Sequence, residues 1–306
     1  MLGRMSLPAP PHVDRGDRRR LPQLLLGIVL FVVAELVMVA VSVVATILAG
    51  GDGAEGAEPW ALLLGAAAGS AVAVGGYLLL VGPLGRRPGL GLRGPGKLAE
   101  LGAGLLAGTA LISLAVGLIA LLGGYRVTGF SASPQLLAPL AIGIGAGVIE
   151  EILFRGILLR VLDAWLGSWA ALGITSLLFG LIHMTNPGAS LVTALGLVVE
   201  AGVLLGAAYL LTRRLWFAIG LHIAWNAVQA GVFSSAVSGT GEQRGLLLAE
   251  MDGPAWLTGG AMGIEGSAVT VLLGLVVGIV LLVLAARRGH LLPAARVADR
   301  LPAAQA

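Results

Sequence analysis

Residues 147–158 read GVIEEILFRGIL, an apolar segment that carries two adjacent carboxylates, Glu150 and Glu151, and an arginine, Arg155. Near the centre of an isolated spanning helix each such side chain costs roughly 2.5–3.5 kcal/mol, so three nearly cancel the gain from the surrounding Leu, Ile and Phe. Something has to compensate that cost. At about 100° per residue, Glu151 and Arg155 are i,i+4 neighbours on one helix face, whereas Glu150 points about 100° away from Glu151. Glu151 and Arg155 can neutralise one another, which leaves Glu150 free to face a cavity and a water. The alternative is a packing triad in which all three residues fix helix registry.

The chain around this segment settles its solvent. Of 306 residues 57% are hydrophobic and only 11% are charged, against about 25% charged in an ordinary soluble domain. An all-α integral membrane protein is expected, and the 48 glycines, scattered without a collagen period, suit close helix packing in a bilayer. Cysteine is absent, which excludes a disulfide framework and thiolate chemistry. The net charge of +3 sits largely in loops and tails and reads as topology rather than nucleic-acid binding.

Apolar runs of about 17–25 residues span a bilayer as helices, and eight are present, at approximately 22–49, 60–82, 98–123, 135–160, 168–185, 189–212, 215–236 and 264–286. The first is too long for a signal-peptide core and is expected to remain as a mature span, with no soluble domain before it. The Arg-rich connections, Arg160, the pair Arg213 and Arg214, and Arg287 with Arg288 fall on one side, while Glu242, Glu250 and Asp252 fall on the other. By the positive-inside rule both termini are expected in the cytoplasm. The expected organisation is a tail (1–20), three accessory spans (21–134), a polar core (135–236), an extracytoplasmic loop (237–263), a last span (264–288) and a second tail (289–306).

Four acidic residues lie well inside these spans, Glu35, Glu150, Glu151 and Glu200, together with Arg155, His183 and His222. Ionisable groups at such depth face the bundle interior, pair with each other and mark functional sites. FGLIH, Phe179–His183, is followed by the stop signal Asn186-Pro187-Gly188, so His183 sits near the end of its span. In GLHIAWN, Gly220–Asn226, His222 and Asn226 emerge one turn apart on one face and can converge on a single oxygen. That is the geometry of an oxyanion hole built from side chains; the bland alternative is an interhelical hydrogen-bond pair. Glu35 reads as structural, and Glu200 is expected to line the same cavity without a chemical role. At about 1.5 Å per residue, His222, Glu150 and His183 fall about 10, 15 and more than 20 Å from the cytoplasmic ends, so helix tilt has to bring them level.

EEILFR, FGLIH and HIAWN, in this order, resemble the EExxxR, FxxxH and HxxxN/D motifs of the CPBP family, the type II CAAX prenyl endopeptidases and the related bacterial Abi proteins linked to bacteriocin processing and self-immunity. The resemblance covers roughly residues 135–235. It implies an intramembrane endopeptidase in which Glu150 and His183 activate a water, His222 and Asn226 hold the oxyanion, and Glu151 and Arg155 support the helix. No cofactor is the favoured expectation; zinc on Glu150, His183 and His222 is the alternative, although no HExxH pair is present. The expected partners are membrane lipid and a membrane-associated peptide or protein, with no nucleic acid. Competing classes are a transporter or channel that uses the same carboxylates, and a non-catalytic immunity or scaffold protein. Eighteen arginines against the single lysine Lys97 suggest a GC-rich bacterial gene.

Overall fold

The computed structural model describes residues 19–52, 57–84, 91–132 and 135–294. Residues 1–18 and 295–306, most of the two expected tails, lie outside the described residues, as do Arg86 and Arg87. The described chain is a helical bundle. Seven helices are long and apolar enough to cross a membrane: α1 (Arg20–Leu48), α2 (Pro59–Gly82), α3 (Lys97–Leu121), α4 (Leu137–Leu166), α5 (Ser168–Thr185), α6 (Leu191–Thr212) and α8 (Ala268–Arg287). The chain is thus a multi-pass membrane protein. The eighth expected span, 215–236, is shorter than its apolar run: α7 is helical only over Trp216–Gly231, 16 residues.

The shortening has a packing cause. α7 is pressed between α3 and α4, and most of its residues are buried, so it lies among protein rather than lipid. Glycines permit the approach. A Cβ on Gly104 would meet the Phe217 carbonyl, one on Gly220 the Leu101 carbonyl, and one on Gly147 would lie 2.9 Å from the Ile223 nitrogen. Small residues let helix backbones touch in this way. Replacing Gly220 with Leu is therefore expected to lower stability by about 1–3 kcal/mol or more through overpacking, read as a fall in melting temperature in detergent.

Two features depart from uninterrupted α-helix. β1 (Arg126–Phe130) pairs antiparallel with β2 (Leu247–Glu250), so residues far apart in sequence close one end of the bundle. The helices also contain wide π-helical turns, at Ile152–Leu159 in α4 and Val198–Val203 in α6. Such turns have no sequence signature of their own and recur at functional sites.

The last span starts later than expected, at Ala268. The segment before it folds back onto the bundle, where Ser267 caps the helix by accepting from the Val269 N–H at 3.1 Å. Residues 232–267 are thus a built cap rather than a plain loop. Ser235 Oγ accepts from the Ile264 N–H at 3.0 Å, the Gly239 N–H donates to the Met262 carbonyl at 3.0 Å, and Ile264 and Glu265 are buried.

Candidate active site

Glu151 is fully buried and Arg155 is 2% exposed, and the two are paired as the i,i+4 spacing requires, Nη1 to Oε1 at 2.8 Å. The guanidinium does more than neutralise this carboxylate. Its Nη2 donates to the Ala201 and Gly202 carbonyls at 3.2 Å each, both within the π-helical turn of α6. A widened turn takes carbonyls out of the regular ladder, and buried carbonyls need donors. Arg155 supplies them. Its guanidinium also stands 4.7 Å above the Phe179 ring, an attraction of about 2 kcal/mol when desolvated. Arginine suits this place because one planar fork serves carboxylate, carbonyls and ring together.

Phe179 and His183 are four residues apart on α5, and their rings pack at a tilt of 42° with centroids 4.9 Å apart. Phe179 thus sits between Arg155 and His183. His183 Nδ1 lies 2.7 Å from the Phe179 carbonyl oxygen. Since a carbonyl only accepts, Nδ1 carries the proton, and Nε2 is left as the ring's acceptor. His222 is fixed differently. Its Nδ1 lies 3.0 Å from Glu151 Oε1, so a hydrogen-bonded chain runs Arg155, Glu151, His222, and Nε2 is the ring nitrogen left for other partners.

Glu150 takes no part in that chain. It lines a cavity of about 350 Å³ together with His183, His222, Asn226 and, from α1, Glu35. Its Oε2 is buried with no hydrogen-bond partner among the described residues. The two carboxylates of the opening segment therefore divide: Glu151 is consumed by Arg155 and His222, while Glu150 faces the cavity. The three residues expected at unequal depths, His222, Glu150 and His183, line this one space.

Several residues outside the sequence expectations also belong here. Glu35, read as structural, lines the same cavity as Glu150. Glu200 lies instead in an adjoining pocket of about 20 Å³, room for about one water, with His222, Asn226, Trp225 and Glu265. Ser238 lines both spaces and is held by two hydrogen bonds: its N–H donates to Glu265 Oε1 and its carbonyl accepts from Asn186 Nδ2 at 2.6 Å; its φ of 49° is costly for a non-glycine residue. Ser238 and Glu265 come from the folded cap, and the only sequence signal was an acidic residue placed just ahead of an apolar run.

Glu150, His183 and His222 could together supply a carboxylate and two imidazoles to zinc, yet among the described residues no group of three His, Asp or Glu is placed to hold a metal ion. Each Nδ1 is held from behind, which leaves Nε2 as the nitrogen either ring could offer to a metal or to a water. No step is routed through a metal.

The fold and these polar groups define a multi-pass helical membrane protein whose core brings carboxylate, imidazole and amide side chains to one cavity. Residues 132–228 match the family model of type II CAAX prenyl endopeptidases described as Rce1-like. The matched stretch runs from just before α4 into α7, about a third of the chain, and contains every residue of the three motifs. That stretch is similar to the core of CAAX-type membrane proteases. No curated protein and no solved structure matches the chain.

Proposed function

We propose that the protein is an intramembrane endopeptidase in which Glu150, with His183, activates a water. The observation that carries this reading is the shared cavity, where the unpartnered Glu150 carboxylate meets the His183, His222 and Asn226 side chains. Water held between Glu150 and the His183 Nε2 acceptor loses its proton as its oxygen attacks the scissile carbonyl. His222, oriented by Glu151 through Nδ1, and the Asn226 amide donate to the oxyanion. Collapse of the tetrahedral intermediate returns the proton to the leaving amine, with Glu150 acting as general acid. Glu151 and Arg155 position His222 without touching substrate.

Asn226→Ala is expected to lower turnover by about 10²–10³-fold, the usual effect of losing one oxyanion donor, with KM changing much less. Steady-state kinetics on a cleavable peptide measure both. The metal-independent route predicts a purified enzyme that keeps its activity in chelator and carries no stoichiometric zinc; activity that tracked bound zinc would replace it.

The identity of the activity is tested by comparative peptidomics of cells that produce the wild-type protein or Glu150→Gln. A peptide whose processing depends on Glu150 supports the protease. Solute uptake into proteoliposomes abolished by the same substitution supports a transporter. A cellular role that survives Glu150→Ala and His183→Ala supports a scaffold.

A further inference from the structure

The cavity opens at one end of the bundle, and the charges identify that end. One end gathers the start of α1, the loop before α3, the end of α4, the α6–α7 turn and the end of α8. It is tied together by Arg213 with Asp163, Arg214 with Glu100 at 2.9 Å and Trp216 Nε1 donating to the Leu92 carbonyl at 3.0 Å. Among the described residues this end carries Arg19, Arg20, Arg93, Lys97, Arg213, Arg214, Arg287 and Arg288. The opposite end holds β1, β2 and the folded cap. Its described cations are Arg126 and Arg244, beside Asp52, Glu58, Glu242, Glu250 and Asp252.

The rim of the cavity is at this second end: Thr185 and Asn186 from the end of α5, and Ser238 and Thr240 from the cap, with Thr185 and Thr240 exposed. Its side wall is made by Phe31 and Glu35 of α1 and Ile182 of α5. Both helices pack on the Ile152–Leu159 turn of α4, and the space lies between them. None of the residues that line it is Lys or Arg, whereas Glu35 and Glu150 are both there.

We infer that this site takes its substrate from the extracytoplasmic side, as an internal segment of a membrane-anchored peptide. Arginine-rich helix ends stay in the cytoplasm, which puts Thr185, Asn186 and Thr240 on the outer surface. The lining chemistry agrees. A short cytoplasmic tail cut near its C-terminus would bring a free carboxylate within a few residues of the scissile bond, against two carboxylates and no basic side chain. An internal segment brings no such charge. The inference rests on the proposed proteolysis, which adds the statement that the segment is cut; the direction of the opening is tested separately.

The cysteine-free chain makes that test direct. Thr240→Cys at the rim, Glu242→Cys beside it, and Arg93→Cys and Arg288→Cys at the other end each create a single thiol. Intact cells are treated with a membrane-impermeant maleimide before and after permeabilisation. The expected result is labelling at positions 240 and 242 in intact cells, and at 93 and 288 only after permeabilisation. Position 242 lies outside the cavity and carries the test should Thr240→Cys fold poorly. The reverse pattern overturns the inference and leaves the protease intact. In a second arm, peptides that depend on Glu150 are sought in the medium and among cytoplasmic tails. Glu150-dependent products confined to cytoplasmic tails overturn the inference alone. Outward labelling with no Glu150-dependent peptide in either place overturns the proteolysis on which it rests.

Discussion

Replacing Glu150 with Gln is expected to lower turnover by about 10²–10⁴-fold, the range lost with a positioned general base, while the melting temperature stays level or rises. The second half of this expectation separates a catalytic carboxylate from a structural one. Glu150 Oε2 has no partner to lose, and the substitution removes a charge whose buried oxygen is unsatisfied and which shares its cavity with a second carboxylate, Glu35. Initial rates and thermal unfolding on the same detergent-purified sample measure both. A variant that unfolds earlier and cleaves normally would place Glu150 in the packing of α4 instead.

Arg155→Met is expected to produce the largest loss of stability. The substitution keeps the volume of a long side chain but leaves Glu151 buried beside His222 alone, frees the Ala201 and Gly202 carbonyls, and removes the cation above Phe179. Breaking a buried ion pair from one side costs about 3–5 kcal/mol, far more than the ~0.6–2 kcal/mol typical of one interhelical hydrogen bond in a membrane. The double substitution Glu151→Gln with Arg155→Met removes the orphaned charge and is expected to recover part of that loss. It does not recover turnover, because His222 no longer faces a carboxylate. Unfolding midpoints of the wild type, both single variants and the double variant form the cycle that measures the coupling.

Much of the bundle was legible because bilayer crossing is a composition signal: seven helices are where apolar runs of sufficient length occur. The partition of Glu150 from Glu151 was legible too, since it follows from rotation about a helix axis. α7 was overdrawn because hydropathy does not distinguish a helix surrounded by lipid from one wedged among glycines. That Glu35 lines the Glu150 cavity was not legible for a related reason: which face of α1 turns inward depends on α4, not on α1. The pairing of Arg126–Phe130 with Leu247–Glu250 is long-range, and neither strand is distinctive alone. Ser238 and Glu265 reach the site through a cap fixed by backbone hydrogen bonds, which side-chain identity encodes weakly. The motif match in residues 132–228 stops short of both.

The π-helical turns at Ile152–Leu159 and Val198–Val203 make the number of residues, and not only their identity, a determinant of this protein. A widened turn holds roughly one residue more than the α-helix on either side of it. Deleting one residue from Val198–Val203 would let α6 close into regular helix. The flanking turns would keep roughly their present rotation, because the wide turn is what accommodates the surplus residue, but the carbonyls it frees would return to the helical ladder. The carbonyls that receive Arg155 would turn away, although every motif residue remained in the chain. Length variation inside these short stretches should therefore be far less tolerated than substitution. Two chains with all three motifs but different spacing here would not share one working geometry.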